Sequence, residues 1–450
     1  MRKTFHLTLI TTILATATTT ASAGTDTSIA TTSHESPSSD ALALWWNGKN
    51  ATGDWFGLRT MLAEDFGLTF SARYYGAYFG VVDGQNGARG FWGQGVNFGA
   101  THNIGKWLNI KELEGVSFFG NIRWRDNGEW ANPMPWVEST SLFQPSPWAS
   151  GTKFRLLSFG LEASTAKLLP VKDMFTLRAG WLQPQTEFLD QPHSKGFLNN
   201  SINSAKGIGG NIPFSSSSST WGGTLRVKPT EWSYAKGGLF MSYPRMTNMG
   251  NHGVHFQGYK PDPDVNGYWA MGEFGITPAI CSLPGKYALG GYYYGSEHKT
   301  YTRGATRWAQ YGLYFQADQM LYTPETPDKG KKPTKGLSTF NVFTFAPEED
   351  NLFPFYFHTG LCYEGLIPTR DTDQLLFGLA YGSYSNDKHT ADRRRNRQLA
   401  TYSMVMEASY KANVNKWLHV QPFVQYIVRP NGTEHVKNAT IIGFQTGLTF

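Results

Sequence analysis

The feature that most constrains this chain is a period of two. At the C-terminus, Ile442, Phe444, Thr446, Leu448 and Phe450 alternate with Gly443, Gln445, Gly447 and Thr449. Successive side chains of a strand point to opposite faces, so such a stretch has one apolar face and one small or polar face. Residues 116–126 repeat the pattern: Val116, Phe118, Ile122 and Trp124 fall on one side, Ser117, Asn121, Arg123 and Arg125 on the other. In 401–411, Tyr402, Met404, Met406, Ala408 and Tyr410 oppose Ser403, Glu407, Ser409 and Lys411. Long helical periodicity is missing, which argues against a cytosolic α/β enzyme. Aromatic residues make up 15% of the chain, which excludes disorder. Mean hydropathy is −0.38, so no large part is a continuous apolar span and a polytopic helical membrane protein is excluded. A large all-β protein remains.

Alternation alone fits a soluble sandwich as well as a transmembrane barrel. Four features favour the barrel. The stretches are about ten residues long, the length a tilted strand needs to cross a bilayer; soluble strands average roughly five or six. Charges keep to one face, as expected for a wet lumen and a lipid exterior. Aromatics gather near strand ends, at Tyr74-Tyr75, Tyr78-Phe79, Tyr292-Tyr293-Tyr294 and Tyr381 with Tyr384, as in interfacial girdles. Connectors alternate between short and long. Sixteen antiparallel strands are laid out, starting near residues 67, 92, 116, 153, 174, 220, 235, 266, 286, 305, 337, 354, 373, 400, 418 and 439. Short turns then fall at 166–173, 229–234, 277–285 and 412–417, and long loops at 127–152, 184–219, 246–265 and 384–399. The Pro/Lys-rich connector 321–336 is a long exception on the short-turn side. The expected fold is an all-β, 16-stranded antiparallel transmembrane β-barrel over 67–450.

The N-terminus reads differently. Met1-Arg2-Lys3, an apolar middle and an Ala21-Ser22-Ala23 end have the form of a secretory signal peptide over 1–23. Residues 24–44 are rich in Ser and Thr and are expected to be a flexible tail. Within 45–66, a periplasmic helical segment, Asp54 is placed to N-cap a helix through Trp55, Leu58, Met61 and Leu62, the only convincing helix of the mature chain. Two cysteines, Cys281 and Cys362, cannot form a disulfide framework; one bridge or two isolated thiols both fit. The net charge of +6 is mild, its basic residues are interleaved with acids, and no nucleic-acid stripe is present.

A barrel of about 16 strands leaves an aqueous channel. By parity its lumen carries Arg73, Arg123, Arg125, Arg178, Arg226, Glu273, Asp318 and Glu407, five arginines against three acids. A strongly anion-selective pore would carry a larger positive excess. Mixed guanidinium and carboxylate walls suit a neutral, polyhydroxylated solute, whose hydroxyls donate and accept; each of these charges taken singly is better explained by solvating the lumen and pairing across it. Loop 127–152 holds Trp130, Trp136 and Trp148 among prolines. Folded inward it would narrow the pore and stack on sugar rings; folded outward it would form a girdle or pack on 184–219. No catalytic residue, cofactor or metal site is expected: no Gly-x-Ser-x-Gly or His-Glu-x-x-His motif occurs, and the eleven His are scattered. Arg393, Arg394, Arg395 and Arg397 form one basic loop, facing water or anionic lipopolysaccharide. Monomer and homotrimer are both compatible with the sequence.

Several segments resemble the carbohydrate-selective porin family, OprB type. Thr52–Glu64 (TGDWFGLRTMLAE) resembles its N-terminal signature, with Phe56 where a glycine is more usual. Tyr363–Asp373 (YEGLIPTRDTD) resembles its Gly-x-x-Pro-x-Arg-x-x-Asp segment, Gln421–Gly432 its penultimate strand, and Asp318–Tyr322 adds a fourth match in the same order. The resemblance implies a 16-stranded bacterial outer-membrane barrel passing glucose and related small sugars by diffusion. It also implies a constriction rich in arginine and acids, made partly by inward-folded loops. Arg370 and Asp371 match a motif but fall at a periplasmic turn, where a structural role competes. A general diffusion porin, an outer-membrane barrel enzyme and a secreted β lectin stand as alternatives.

Overall fold

The computed structural model describes residues 39–126, 128, 131–138, 145, 153–166, 168–215, 217–242, 267–302, 304–326 and 332–450. The chain divides into two units, Met1–Leu44 and Trp45–Phe450, and the barrel lies wholly within the second. Its strands are β1 (Leu68–Asp83), β2 (Arg89–Asn103), β3 (Val116–Arg125), β4 (Phe154–Ser164), β5 (Phe175–Leu182), β6 (Thr220–Thr230), β7 (Ser233–Ser242) and β8 (Gly267–Ile276). They continue as β9 (Leu283–Lys299), β10 (Thr306–Tyr322), β11 (Gly336–Phe345), β12 (Phe355–Glu364), β13 (Gln374–Ser383), β14 (Tyr402–Asn413), β15 (Leu418–Val428) and β16 (Ala439–Thr449). A two-residue bridge, Ala279–Ile280, pairs back onto Leu283 and Pro284 in the turn before β9.

Each strand pairs antiparallel with the next, and β1 pairs with both β2 and β16, so the sixteen strands close into one barrel. Closure leaves no strand edge, and strand amides find partners without water, which a lipid environment requires. The 16-strand layout and the alternation of connectors hold. β3, β5, β7 and β13 end at one rim, where the long connectors leave the barrel; β4, β6, β8 and β14 end at the other, with the start of β1 and the end of β16. The long connector 323–335 does sit on the turn side: β10 and β11 pair in register on either side of it, from Leu313 opposite Phe345 to Gln319 opposite Thr339.

The outward face is a continuous apolar belt. Phe98, Phe118, Leu177, Leu225, Leu239, Phe274, Leu289, Leu313, Phe377 and Phe444 are all exposed on it. At the loop-side rim, aromatic rings step from strand to strand: Phe345–Phe355 (5.3 Å), Phe355–Phe357 (5.9 Å), Phe357–Tyr381 (5.6 Å) and Tyr381–Tyr402 (5.5 Å). Amphipathic rings placed there suit a membrane–water boundary.

The N-terminal expectation needs correction. The helix runs over Leu58–Glu64, and its N-cap is Gly57 at φ 87°, not Asp54. The chain reverses between Asp54 and Leu58 through left-handed Trp55 (φ 50°) and Phe56 (φ 60°). Asp54 still satisfies a first-turn donor from upstream: its carboxylate accepts the Thr60 N–H (3.0 Å) and the Thr60 hydroxyl (2.8 Å). Nor is this helix alone. Ser39–Trp46 is helical, beginning inside the stretch read as a tail, and Asn386–Arg394 is a helix capped by the Ser385 hydroxyl, which accepts the Lys388 N–H at 3.1 Å. Residues 1–38, with the signal-peptide reading and most of the tail, lie outside the described residues. Both cysteines are free, Cys281 exposed in a turn and Cys362 buried in β12.

Candidate functional site

The enclosed face is not polar throughout, as alternation had implied. Ala77, Phe79, Val81, Phe340, Tyr356, Val405, Ile427 and Ile441 are inward and buried. Phe197, Leu198 and Ile202 of connector 183–219 and Val137 of connector 126–153 join the same cluster, and 183–219 touches residues on β7, β9, β11, β12, β14 and β15. Only the inside of a closed barrel lets one segment reach all of these, so this loop crosses the lumen. Its sequence explains why it goes in. Phe188, Phe197, Leu198, Ile202, Ile208, Ile212 and Phe214 are buried, each contributing roughly 1.5–3 kcal/mol. Between them lie small polar residues that satisfy the loop's own backbone: the Asn199 side chain accepts the Ser201 N–H at 2.9 Å and opens the turn Asn200–Asn203. Gly207 allows the closest approach. A Cβ there would stand 2.1 Å from Thr344 Oγ1 and 2.8 Å from Tyr356 Cβ.

Two of the expected lumen acids hold this loop. Glu407 accepts the backbone N–H of Leu198 (2.8 Å) and Asn199 (2.7 Å), and Gln425 Nε2 at 3.0 Å. Glu273 accepts Tyr234 Oη (2.8 Å), Tyr314 Oη (2.9 Å), Gln316 Nε2 (3.1 Å) and the Leu189 N–H (3.4 Å). Further ties come from Gln421 Nε2 to the Gly196 carbonyl (2.8 Å) and Tyr356 Oη to the Ser201 carbonyl (2.5 Å). The Pro145 carbonyl, from connector 126–153, accepts Gln425 Nε2 at 3.0 Å, so that connector also reaches the inner wall.

The third acid, Asp318, differs. It is buried, and neither carboxylate oxygen has a hydrogen-bond partner among the described residues. His193 Nδ1 of the loop stands 4.0 Å away, and Lys286 is its cross-strand neighbour. Nearby, Asp190 pairs with Lys195 and receives Lys286 Nζ on its carbonyl at 2.5 Å. Burial works against charge on Asp190, but the Lys195 hydrogen bond and the surrounding lysines outweigh it and hold the carboxyl below its usual range. Burial pushes the His193 imidazole down, toward the neutral form.

The arginines sort into two groups. Arg123 and Arg125 point inward from β3, and Arg123 lies directly across from Arg155 on β4. All three are buried. Arg123 donates to the Ser217 hydroxyl at 2.9 Å. Arg73 stands in the same cross-strand row, separated from Arg123 by Asn97 on β2. Lys206 joins this group from the loop: burial, then the nearby Arg125, pushes it down to about 8. Arg178 and Arg226 belong elsewhere, in the turn-side half of β5 and β6. Arg178 bridges Glu162 (3.1 Å) and Glu187 (2.6 Å), and Arg226 donates to Thr176 Oγ1 at 3.3 Å. Lys236 continues the row between Arg226 and Glu273. Thus all eight expected residues face inward, but Asp318 and Glu407 stand apart, four strands from each other. Arg155, Lys206, Lys236 and Lys286 were missed. Arg155 was open to the same parity argument, one residue after outward Phe154; Lys206 sits in a loop with no period to read.

Trp136 lies in the short helix Met134–Val137 at the rim, its ring covered by the Arg89 guanidinium (4.8 Å) and beside Phe91 (6.3 Å). Trp130 and Trp148 lie outside the described residues. Arg370 and Asp373 build the 365–373 turn: Asp373 accepts Arg370 Nε (2.8 Å), Tyr410 Oη (2.6 Å) and the Asn413 N–H (2.9 Å).

A closed 16-stranded barrel with an apolar exterior, a charged interior and a loop laid across its lumen defines the porin class of channel. Residues 139–450 match the family described as carbohydrate-selective porin, OprB family, and the chain belongs to it. That membership places the barrel in the bacterial outer membrane. Porin B of Pseudomonas aeruginosa is 26% identical over 195 residues, 37% of this chain; the match spans 42% of that relative's length. The high-pH structure of Pseudomonas putida OprB superposes with a TM-score of 0.77 at 21% identity, covering 90% of this chain and all of that one. The low-pH structure of the same protein gives 0.56 at 18% identity, again over 90% of this chain and 99% of that one. At these identities the likeness is one of fold.

Proposed function

We propose that this chain is a passive, carbohydrate-preferring channel for small glucose-like mono- and oligosaccharides. The observation that carries the reading is the loop 183–219, held across the lumen by Glu407 and Glu273 beside clustered inward arginines. A fixed constriction of this kind offers a sugar many hydroxyl partners without moving parts. The lining candidates are Arg73, Arg123, Arg125, Arg155 and Asp318; Glu407 and Glu273 act through the loop they hold. The test is planar-bilayer conductance with glucose and maltodextrins added. Sugar-dependent block of an open channel supports the proposal; a current that no sugar alters defeats it.

A second reading is general diffusion with anion preference, favoured by Arg123, Arg125, Arg155 and Lys206 standing together. Liposome swelling across sugars, amino acids and salts separates the two: parallel rates set by size alone would favour it. We also propose that residues 1–23 direct export; an outer-membrane form whose N-terminal sequence still begins at Met1 would rule this out.

A further inference from the structure

The turn-side end of the barrel carries a segment whose exposed surface is left uncovered by the described residues. Residues 54–66 are pinned where the barrel closes. Arg59 Nη2 donates to the Phe70 carbonyl of β1 and to the Phe450 carbonyl after β16, both at 2.9 Å. The Ala51 N–H donates to the Thr449 carbonyl at 2.8 Å, and Trp45 and Trp46 pack on Trp417 at 4.9 and 5.8 Å. The helix Leu58–Glu64 turns Arg59, Leu62 and Ala63 toward the barrel, where they are half-buried. Its other side exposes Leu58 and Met61, flanked by exposed Trp55, Phe56 and Phe66.

Two observations are costly for the protein alone. Trp55 and Phe56 both adopt left-handed backbone, which bulky side chains disfavour. Phe56 is also fully exposed. The Trp55 ring lies under the Arg59 guanidinium at 4.9 Å, whereas the Phe56 ring is held out into the surroundings with no packing against the described residues. The segment sits at the edge of the lipid-facing surface: Arg59 binds the Phe70 carbonyl, and exposed Phe70 lies on the outward face of β1.

We propose that residues 54–66 form a membrane foot, seated in the headgroup region of the periplasmic leaflet with Phe56, Leu58, Met61 and Phe66 inserted. Amphipathic segments with aromatic residues on the apolar side bind that zone. The foot anchors the closure seam to the bilayer, whatever solute the pore admits.

The test uses the full chain carrying Cys281→Ser, in which Cys362 remains buried. Phe56→Cys is labelled with an environment-sensitive fluorophore and reconstituted into phosphatidylcholine vesicles; Lys332→Cys, exposed on the 323–335 connector, is the reference. The expected result is a blue-shifted emission at position 56, several-fold stronger quenching by headgroup-nitroxide lipid than at 332, and protection from aqueous iodide. Equal iodide quenching at both sites with no lipid quenching overturns the proposal. Because Phe56→Cys removes part of the foot, Met61→Cys is measured with Phe56 intact, and a water-exposed label there overturns it equally. Phe56→Gly, which relieves the strain, should leave barrel unfolding in detergent unchanged while reducing the blue shift at position 61.

Discussion

Two stretches of the inner wall use charge in opposite ways. On β3 and β4, Arg123, Arg125 and Arg155 are crowded together, with Lys206 of the loop beside them. Like charges directly opposite on neighbouring strands destabilise a sheet, so this wall needs other partners, of which the Ser217 hydroxyl on Arg123 is one. On β8 and β14, Glu273 and Glu407 are surrounded by donors and grip the loop. The carboxylates of the second wall are consumed in building the constriction.

That contrast can be broken by substitution. The largest effect is expected for Glu407→Ala, which strips two buried backbone N–H groups of their acceptor. Hydrogen bonds to a charged group are worth about 1.5–3 kcal/mol each, so a loss of about 3 kcal/mol or more is expected in urea unfolding, with larger and noisier single-channel conductance. Gly207→Ala should cost about 1–3 kcal/mol by overpacking against Thr344 and Tyr356, leaving ion selectivity as it was. Arg123→Ala with Arg155→Ala should do the reverse. Stability falls less than in Glu407→Ala, while the anion-to-cation permeability ratio falls, read as a reversal potential across a KCl gradient. If that pair proves as destabilising as Glu407→Ala, the division between the walls is wrong.

The smallest effect is a pH dependence. Lys206 is charged below about 8 and neutral above it. Raising the pH from 7 to 9 should lower anion preference slightly, and Lys206→Met should flatten that response. Stability runs the other way: the folded-state pKa lies below the ordinary 10.5, so the unfolded chain binds more protons between the two values. Stability therefore rises with pH across that window. The carboxylate of Asp373 makes its own contribution at the acid end. Burial opposes its charge, but Tyr410, Arg370 and Asn413 hold it low, so its contribution is present above the ordinary carboxylate range and is lost as pH falls through that depressed value.

The barrel itself was legible because a lipid exterior forces the outer face to be apolar at every second residue, as at Phe118, Phe377 and Phe444. Strand starts and the parity of Arg123, Asp318 and Glu407 follow from that one constraint. The inner loop was not legible in the same way. Its apolar residues, Phe197, Leu198 and Ile202, have no fixed period, and their partners Phe340 and Tyr356 sit on inward positions that alternation assigns to water. The pairing of Arg123 with Arg155 needed the register between β3 and β4, which a bulge between Asn121 and Ile122 shifts by one residue. Asp54 named the helix but misplaced its start, because the left-handed turn through Trp55 and Phe56 runs against both residues' preferences.

The loop across the lumen also has a mechanical meaning. It is covalently continuous with β5 and β6 and is hydrogen-bonded to Glu407, Gln421 and Tyr356 on strands well around the ring. Such a segment is a chord of the barrel's cross-section, and a ring braced by a chord resists flattening into an oval. Lateral pressure from the surrounding bilayer would then be borne by a tie-rod rather than by the pore, and the size limit for passing solutes would stay constant as the membrane is compressed or thinned.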